Sequence, residues 1–509
     1  MRQITLFPAN KLGASIAPIY NGHKAIVCHN TDRLIDGMYG TAEMMAFKHN
    51  VQCTSFLHAF YNLTSPPENG SNYGDVLKAI HATGRISFGL YFRTDYWINP
   101  RTGERETIPD HNATAWTSLG KSYFPNVVVG ATKPRLYPNH GHQLFIESNG
   151  EFGYNTETQT MGVSNLSETR LLAEMQFRIF EDLAGLKITS GSYANGSQSG
   201  WNVLIPYFYG IRNSAYGYSG NNGNIKYFGL TREETMRQAS TCRGWDAVNA
   251  GQIIDQAAAL NYSASEIDRA IIAGGLYSEF MHWHSVFKAQ DTAFFDPFFQ
   301  MIDTAIDGRD VWRAGNNEAN EYFVLSQSVN KIGSFVHDNK AHVFIRFKDM
   351  WLGTNTNGIS NAIDPSKIVT PISIEIDLSG TSLAGKNLKS HQASTLRPLG
   401  NNKWIINVSP RNTFKNGFMV FSVEEAQSTD QHYNTNRPLI QRTGNTISAD
   451  MKCNFVVWRK PKDADDSLVE AVFRTSEPSL ETSYVFDTTN YSYGIGAISL
   501  SRNSSLIVI

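Results

Sequence analysis

The feature that most constrains this chain is a change of texture near residue 335. Before it, short apolar runs alternate with helix-like pieces. KAIVCHN (24–30), the helically spaced GTAEMMAFKHN (40–50) and VQCTSFLHAF (51–60) read as a β-α-β unit, and ISFGLYF (86–92) adds a strand. Parallel neighbours need a crossover between them, usually a helix, so this pattern predicts a parallel sheet with helices packed on it. LSETRLLAEMQFRIFEDLAG predicts a further helix, capped near Asn165 or Ser167, with Leu171, Met175, Ile179 and Leu183 as its apolar stripe and Gly185 at its stop. Residues 296–312 read as a helix, a Gly stop and a return strand, and 317–333 as one more helix. After the change, AHVFIRFKDMWLG, TPISIEIDLSG, NKWIINVSP and GFMVFSVEE are short alternating strands between Asn, Gly and Pro turns. That pattern indicates a β-sandwich or barrel rather than more α/β units, and a sandwich-like region is expected. CNFVVWRKP, LVEAVFRTS and GAISLSRNSSLIVI carry it to the end. The expected division is an α/β part over 1–334, a sandwich over 335–428, and a β-rich 429–509 that either stands alone or extends the sandwich.

Bulk chemistry narrows the partners. The 509 residues are 41% hydrophobic, enough for large cores, but only 18% charged, below the usual quarter or so. Neutral Asn, Ser, Thr, Gly and Tyr hold such a surface in water, which suits glycan binding, secretion or packing in an assembly. The formal net charge is -2 and no basic block runs along the chain, so the footprint for nucleic acid is missing. No apolar run reaches the ~18 residues of a membrane span. The opening MRQITLFPANKLGAS lacks the apolar core of a signal peptide, which leaves the cytoplasm, or an exit without one, such as a virus particle released by lysis. Cys28, Cys53, Cys242 and Cys453 form no CxxC pair, so buried reduced thiols are expected.

Ligands of parallel α/β folds sit at the carboxyl ends of the strands. Polar clusters follow apolar runs at four places: His29 to Asp32, Asn155 to Thr160, Ser192 to Ser197, and His282-Trp283-His284. The segment YFRTDYW (91–97) adds aromatic faces of the kind that stack on sugar rings.

The order and spacing of these clusters resemble the polysaccharide deacetylase (NodB-homology) family of carbohydrate esterases, over about residues 20 to 330. AIVCHNTD followed by a helix and CTSF resembles that family's Thr-Phe-Asp-Asp strand end and Ala-Thr-Phe-Phe strand. NGEFGYNTETQ (149–159) resembles the phrase leading into its His-x-x-x-His motif, SYANGS (192–197) its Tyr-Pro-Asn-Gly turn, and MHWHSVF its last histidine motif. The resemblance implies a distorted (β/α) barrel of the deacetylase type, with Asp32 and His284 as catalytic residues. Thr31, Asn155, Gln159, Tyr193, Asn195 and Trp283 would line the substrate cleft.

The departures from that pattern are chemical. Asn155 and Gln159 stand where imidazoles hold the metal, and amides are poor zinc ligands. Thr31 stands where a carboxylate activates water, and its hydroxyl is no general base near neutral pH. The expected function is therefore a deacetylase-like glycan-binding protein without catalysis and without a cofactor. One alternative is an active esterase removing acetyl groups, its zinc site rebuilt from Asp32, His140 and His142, with Glu157 able to supply a carboxylate. Another is a structural or receptor-binding subunit of a phage tail or similar particle. The expected partner is a polysaccharide or cell-surface glycan, with a homo-oligomer or particle assembly as a further expectation.

Overall fold

A computed structural model describes residues 7–32, 39–57, 73–92, 96–98, 105–107, 145–146, 152–156, 159–164, 180–181, 184–186, 188–193, 210–213, 238–239, 256–281, 295–347, 351–354, 360–362, 365, 368, 370–415, 417–464 and 468–509. The fold is mixed α/β, a parallel half-barrel joined to antiparallel sheets. The parallel strands are β1 (Ala25–Asp32), β2 (Cys53–Leu57), β3 (Ile86–Phe92), β4 (Ser190–Tyr193), β5 (Gly210–Asn213), β6 (Gln238–Ala239), β7 (Leu276–Met281) and β8 (Val311–Ala314). Their spatial order is β6-β5-β4-β3-β2-β1-β7. Strands β1 to β6 lie side by side in chain order, and β7 returns to the free edge of β1, in register from Leu276↔Ile26 to Met281↔Thr31. The other edge of β1 is shared: β8 pairs with Ala25 to Cys28 and β2 with His29 to Asp32. This is the winding of a barrel. Among the described residues β6 and β7 are not paired, so the sheet stands as a half-barrel.

Central parallel strands are buried on both faces, which is why they read as continuous apolar runs. One face carries an outer helix layer of α1 (Tyr39–Lys48), α2 (Tyr73–Thr83), α3 (Gln256–Ala273) and α4 (Phe295–Ile306). His29 packs on Phe298 and Phe299 of α4, and Phe88 meets His81 of α2. Between those helices, α1 touches α2 where Thr83 Oγ1 donates to Glu43, and α4 where Lys48 meets Asp296. The opposite, inner face is covered by one helix, α5 (Asn316–Ser328), which crosses from β1 to β5.

Residues 317–333 were expected to be helical throughout, but α5 ends at Ser328 and β9 (Val329–His337) begins at once. Val329, Ile332 and Val336 lie against the sandwich core, and that packing outweighs a local helical pattern. With β10 (Lys340–Phe347) and β14 (Phe418–Glu425), β9 forms one antiparallel sheet. Opposite lies a second, in which Ser15–Ile16 pairs with β11 (Ile372–Asp377), followed by β13 (Lys403–Val408) and β12 (Ala393–Gly400). Val343, Ile345 and Phe421 from the first sheet, Ile374 and Ile406 from the second, and Tyr322 and Leu325 from α5 share one core with Cys28 and Trp312 of the half-barrel.

The C-terminal sheet docks differently. Its strands β15 (Thr446–Pro461), β16 (Glu470–Arg474), β17 (Tyr491–Ser499) and β18 (Ser504–Val508) have a core of their own and bear on α1. Phe47 meets Trp458 edge to face at 5.0 Å. A Cβ on Gly496 would lie 2.6–2.7 Å from both rings, so only glycine fits there. Glu43, fully buried, accepts bonds from Arg474 at 2.6 and 2.7 Å and from Trp458 Nε1 at 3.0 Å. Cys28, Cys53 and Cys453 are buried free thiols.

Candidate functional site

Strand alternation sorts the side chains of the half-barrel by face. Cys28 and Asn30 of β1, Thr54 and Phe56 of β2, Ser87, Gly89 and Tyr91 of β3, Ser190 and Ser192 of β4, and Ser278 of β7 share the inner face. The bonds of this layer confirm the assignment. Thr54 and Ser87 hydroxyls lie 2.8 Å apart, and Asn30 Nδ2 donates to Ser278 Oγ at 3.2 Å. From α5, the Asn317 backbone N–H donates to Thr54 Oγ1 (3.1 Å), Asn317 Nδ2 to the Phe88 carbonyl (2.6 Å), and Asn320 Nδ2 to Ser190 Oγ (3.1 Å). Asn320 rests directly on Gly210, where a Cβ would lie 2.4 Å from its amide.

The amides in the first two turns of α5 thus form a polar floor beside the carboxyl groups of Glu318 and Glu321, and Phe56, Tyr91 and Ser192 continue the wall toward the carboxyl ends of the strands. All of these side chains are buried. A buried polar group without a partner costs about 1–3 kcal/mol, so such a layer persists only where nearly every member is bonded. Two amides at the floor keep capacity. Asn316, with no exposed surface, has both side-chain polar atoms without a protein partner among the described residues, and Asn317 Oδ1 is likewise open.

Thr31 is fully buried, and alternation puts it on the His29 side of the sheet, away from the floor. Asp32 is the last residue of β1, its backbone in register with Phe56, and Met281 at the end of β7 is in register with Thr31. Tyr193 ends β4, in register with Phe92. It lies three strands from β1, roughly 14 Å along a flat sheet and less across a curved one. Asn155 and Gln159 were expected to follow a strand of the parallel sheet. They lie instead on the paired strands Phe152–Thr156 and Gln159–Ser164 of a separate three-stranded antiparallel sheet, with Asn155 opposite Thr160 and Gln159 opposite Thr156. His140, His142, Asn195, Trp283 and His284 lie outside the described residues, as do Glu157, Cys242 and most of the helix read at 166–185.

Burial shifts the ionisable groups on both faces of the sheet, and on α5 it raises the Glu321 pKa to about 7. Burial lowers the His29 pKa to about 3, so that ring is neutral at physiological pH. Burial first, and the nearby Glu318 second, push the Cys28 and Cys53 thiols well up, away from nucleophilic or metal-binding thiolate. Among the described residues no three His, Cys, Asp or Glu side chains gather as a metal would require. The donors in the described wall are hydroxyls and amides, which do not make a zinc set.

Sequence reasoning missed the asparagines of α5. A signal for them existed: NNEANE opens a helix with three asparagines, a residue of middling helix propensity that is costly to bury without partners.

No family model matches this chain, and no curated protein matches it. Among solved structures it is similar to a Mycobacterium smegmatis protein described as a candidate polysaccharide deacetylase, at 12% identity and a TM-score of 0.34, over 64% of this chain and 96% of that one.

Proposed function

We propose that the half-barrel is a glycan-binding scaffold on the deacetylase plan, without that family's metal-dependent chemistry. One observation carries this reading: the described inner wall is built from Asn30, Thr54, Ser87, Ser190, Ser192 and Ser278 over a floor of asparagines. Hydroxyls and amides of this kind suit hydrogen bonding to sugar hydroxyls. The retained Asp32 at a strand end favours a second reading, an esterase with a rebuilt metal site.

A glycan array on the full chain tests the proposal. Binding to neutral or N-acetylated oligosaccharides, abolished by Ser192→Glu and little changed by Asp32→Asn, is the expected result. An array without hits, or binding indifferent to Ser192→Glu, overturns it.

A further inference from the structure

At the amino end of the parallel sheet, opposite the wall just described, the N-terminal segment, the turn before β8, the sandwich and the C-terminal sheet enclose a cavity of about 290 Å³. We propose that this cavity binds the carboxylate of an acidic sugar. The inference stands apart from the reading of the carboxyl end, since it uses other residues.

Charge comes first. Four arginines line the cavity, Arg309, Arg313, Arg397 and Arg502, with the carboxylates Asp307 and Asp310, and outside the lining Arg309 pairs with Asp268 and Arg313 with Asp303. Each guanidinium has five N–H donors, and few of them are used. Arg502 spends Nη2 on the Gly84 carbonyl (2.7 Å) and stands 3.8 Å from Glu318, beyond hydrogen-bond length. Arg313 spends Nη1 on Asp303 and the Asn50 carbonyl, and Arg397 spends Nη1 on the Asn21 carbonyl and Nη2 on Asp310. Among the described residues, Nε and Nη1 of Arg502 and Nε and Nη2 of Arg313 meet no protein acceptor.

A fifth arginine lies near this wall. Arg85 has no exposed surface, and its Nε and Nη2 have no partner among the described residues. Burial, then repulsion from Arg502 and Arg313, hold its pKa well below the usual arginine range. The open donors of Arg85, Arg313 and Arg502 suit an oxyanion, and guanidinium forks match planar carboxylates.

Size and the remaining lining select the rest of the ligand. A volume of 290 Å³ is at the small end of ligand pockets, enough for one ring and too little for a chain. The Tyr433 hydroxyl is fixed in the wall. It donates to His23 Nε2 (3.2 Å), whose Nδ1–H donates to Asp310 (2.8 Å). Burial lowers the His23 pKa, which keeps that ring neutral and the relay in this direction. The Tyr433 oxygen is left to accept from a ligand hydroxyl, and Ser501 and Asn503 stand in the same lining. Inorganic phosphate has no hydroxylated ring to use these groups.

The test is calorimetric titration of the full chain with glucuronate, glucose and inorganic phosphate at one fixed ionic strength. Glucuronate is expected to bind one per chain, with glucose and phosphate each at least roughly tenfold weaker. Thr435→Asp places a repelling charge on an exposed lining residue and is expected to weaken glucuronate roughly tenfold. Arg502→Gln is expected to do so at least as strongly, with unchanged circular dichroism in both variants. No glucuronate binding, equal binding of glucose, tighter binding of phosphate, or indifference to Thr435→Asp in the folded protein each overturns the proposal.

Discussion

Two regions of the half-barrel are built from different chemistry. On the inner face of the sheet, serines, threonines and asparagines bond to one another and to α5. At the amino end arginines and carboxylates crowd together where separate parts of the chain meet. Arg313 and Arg437 share Asp303, Arg397 reaches Asp310, and Glu318 and Glu321 stand one helical turn apart on α5. In a chain only 18% charged, this concentration is the more telling. Charge gathers where the half-barrel is held to its two β-rich neighbours.

Substitutions on each side sharpen or break that contrast. The largest effect is expected at the charged docking surface. Glu43→Ala leaves Arg474 and Trp458 Nε1 without their acceptor, and breaking a buried ion pair costs about 3–5 kcal/mol, readable by chemical denaturation. A loss below about 1 kcal/mol would mean that charge does not hold the C-terminal sheet in place.

Next is a pH effect at Glu321. Burial raises its pKa to about 7, against hydrogen bonds from Thr370 and Thr189 that lower it. A carboxyl raised in the folded state contributes stability that is full below its ordinary range and is lost as pH rises through about 7. Glu321→Gln is expected to flatten that decline, by at most about 3 kcal/mol, in melts taken from pH 4.5 to 8. Unchanged pH dependence contradicts the placement of this carboxylate.

Effects shrink on the neutral side. Asn317→Ala removes the donor to the buried Phe88 carbonyl and should cost about 1–3 kcal/mol. Ser278→Ala takes one acceptor from Asn30 and should cost about 1 kcal/mol or less. If Ser278→Ala proved as damaging as Glu43→Ala, the contrast between the two regions would not hold.

What the sequence disclosed follows the same physics. β1, β2 and β3 were legible because strands buried on both faces leave continuous apolar runs, as in AIVC, and α1 because its apolar positions recur at helical spacing. The end of α5 was not legible, because Val329 and Ile332 answer to a core completed by strands far along the chain. Asn155 and Gln159 were read from a motif phrase. The phrase could not show that Thr156 and Gln159 pair across a hairpin. The arginine cavity left no local trace at all. Arg313, Arg397 and Arg502 come from separate elements, and only the tertiary fold brings them together.

The most direct measurement is acetate release from acetylated oligosaccharides that the protein binds, with zinc supplied. A neutral, non-catalytic wall is expected to bind them and release no acetate above the protein-free rate. Zinc-dependent release that disappears in Asp32→Asn would contradict that account and establish a working metal centre beside β1.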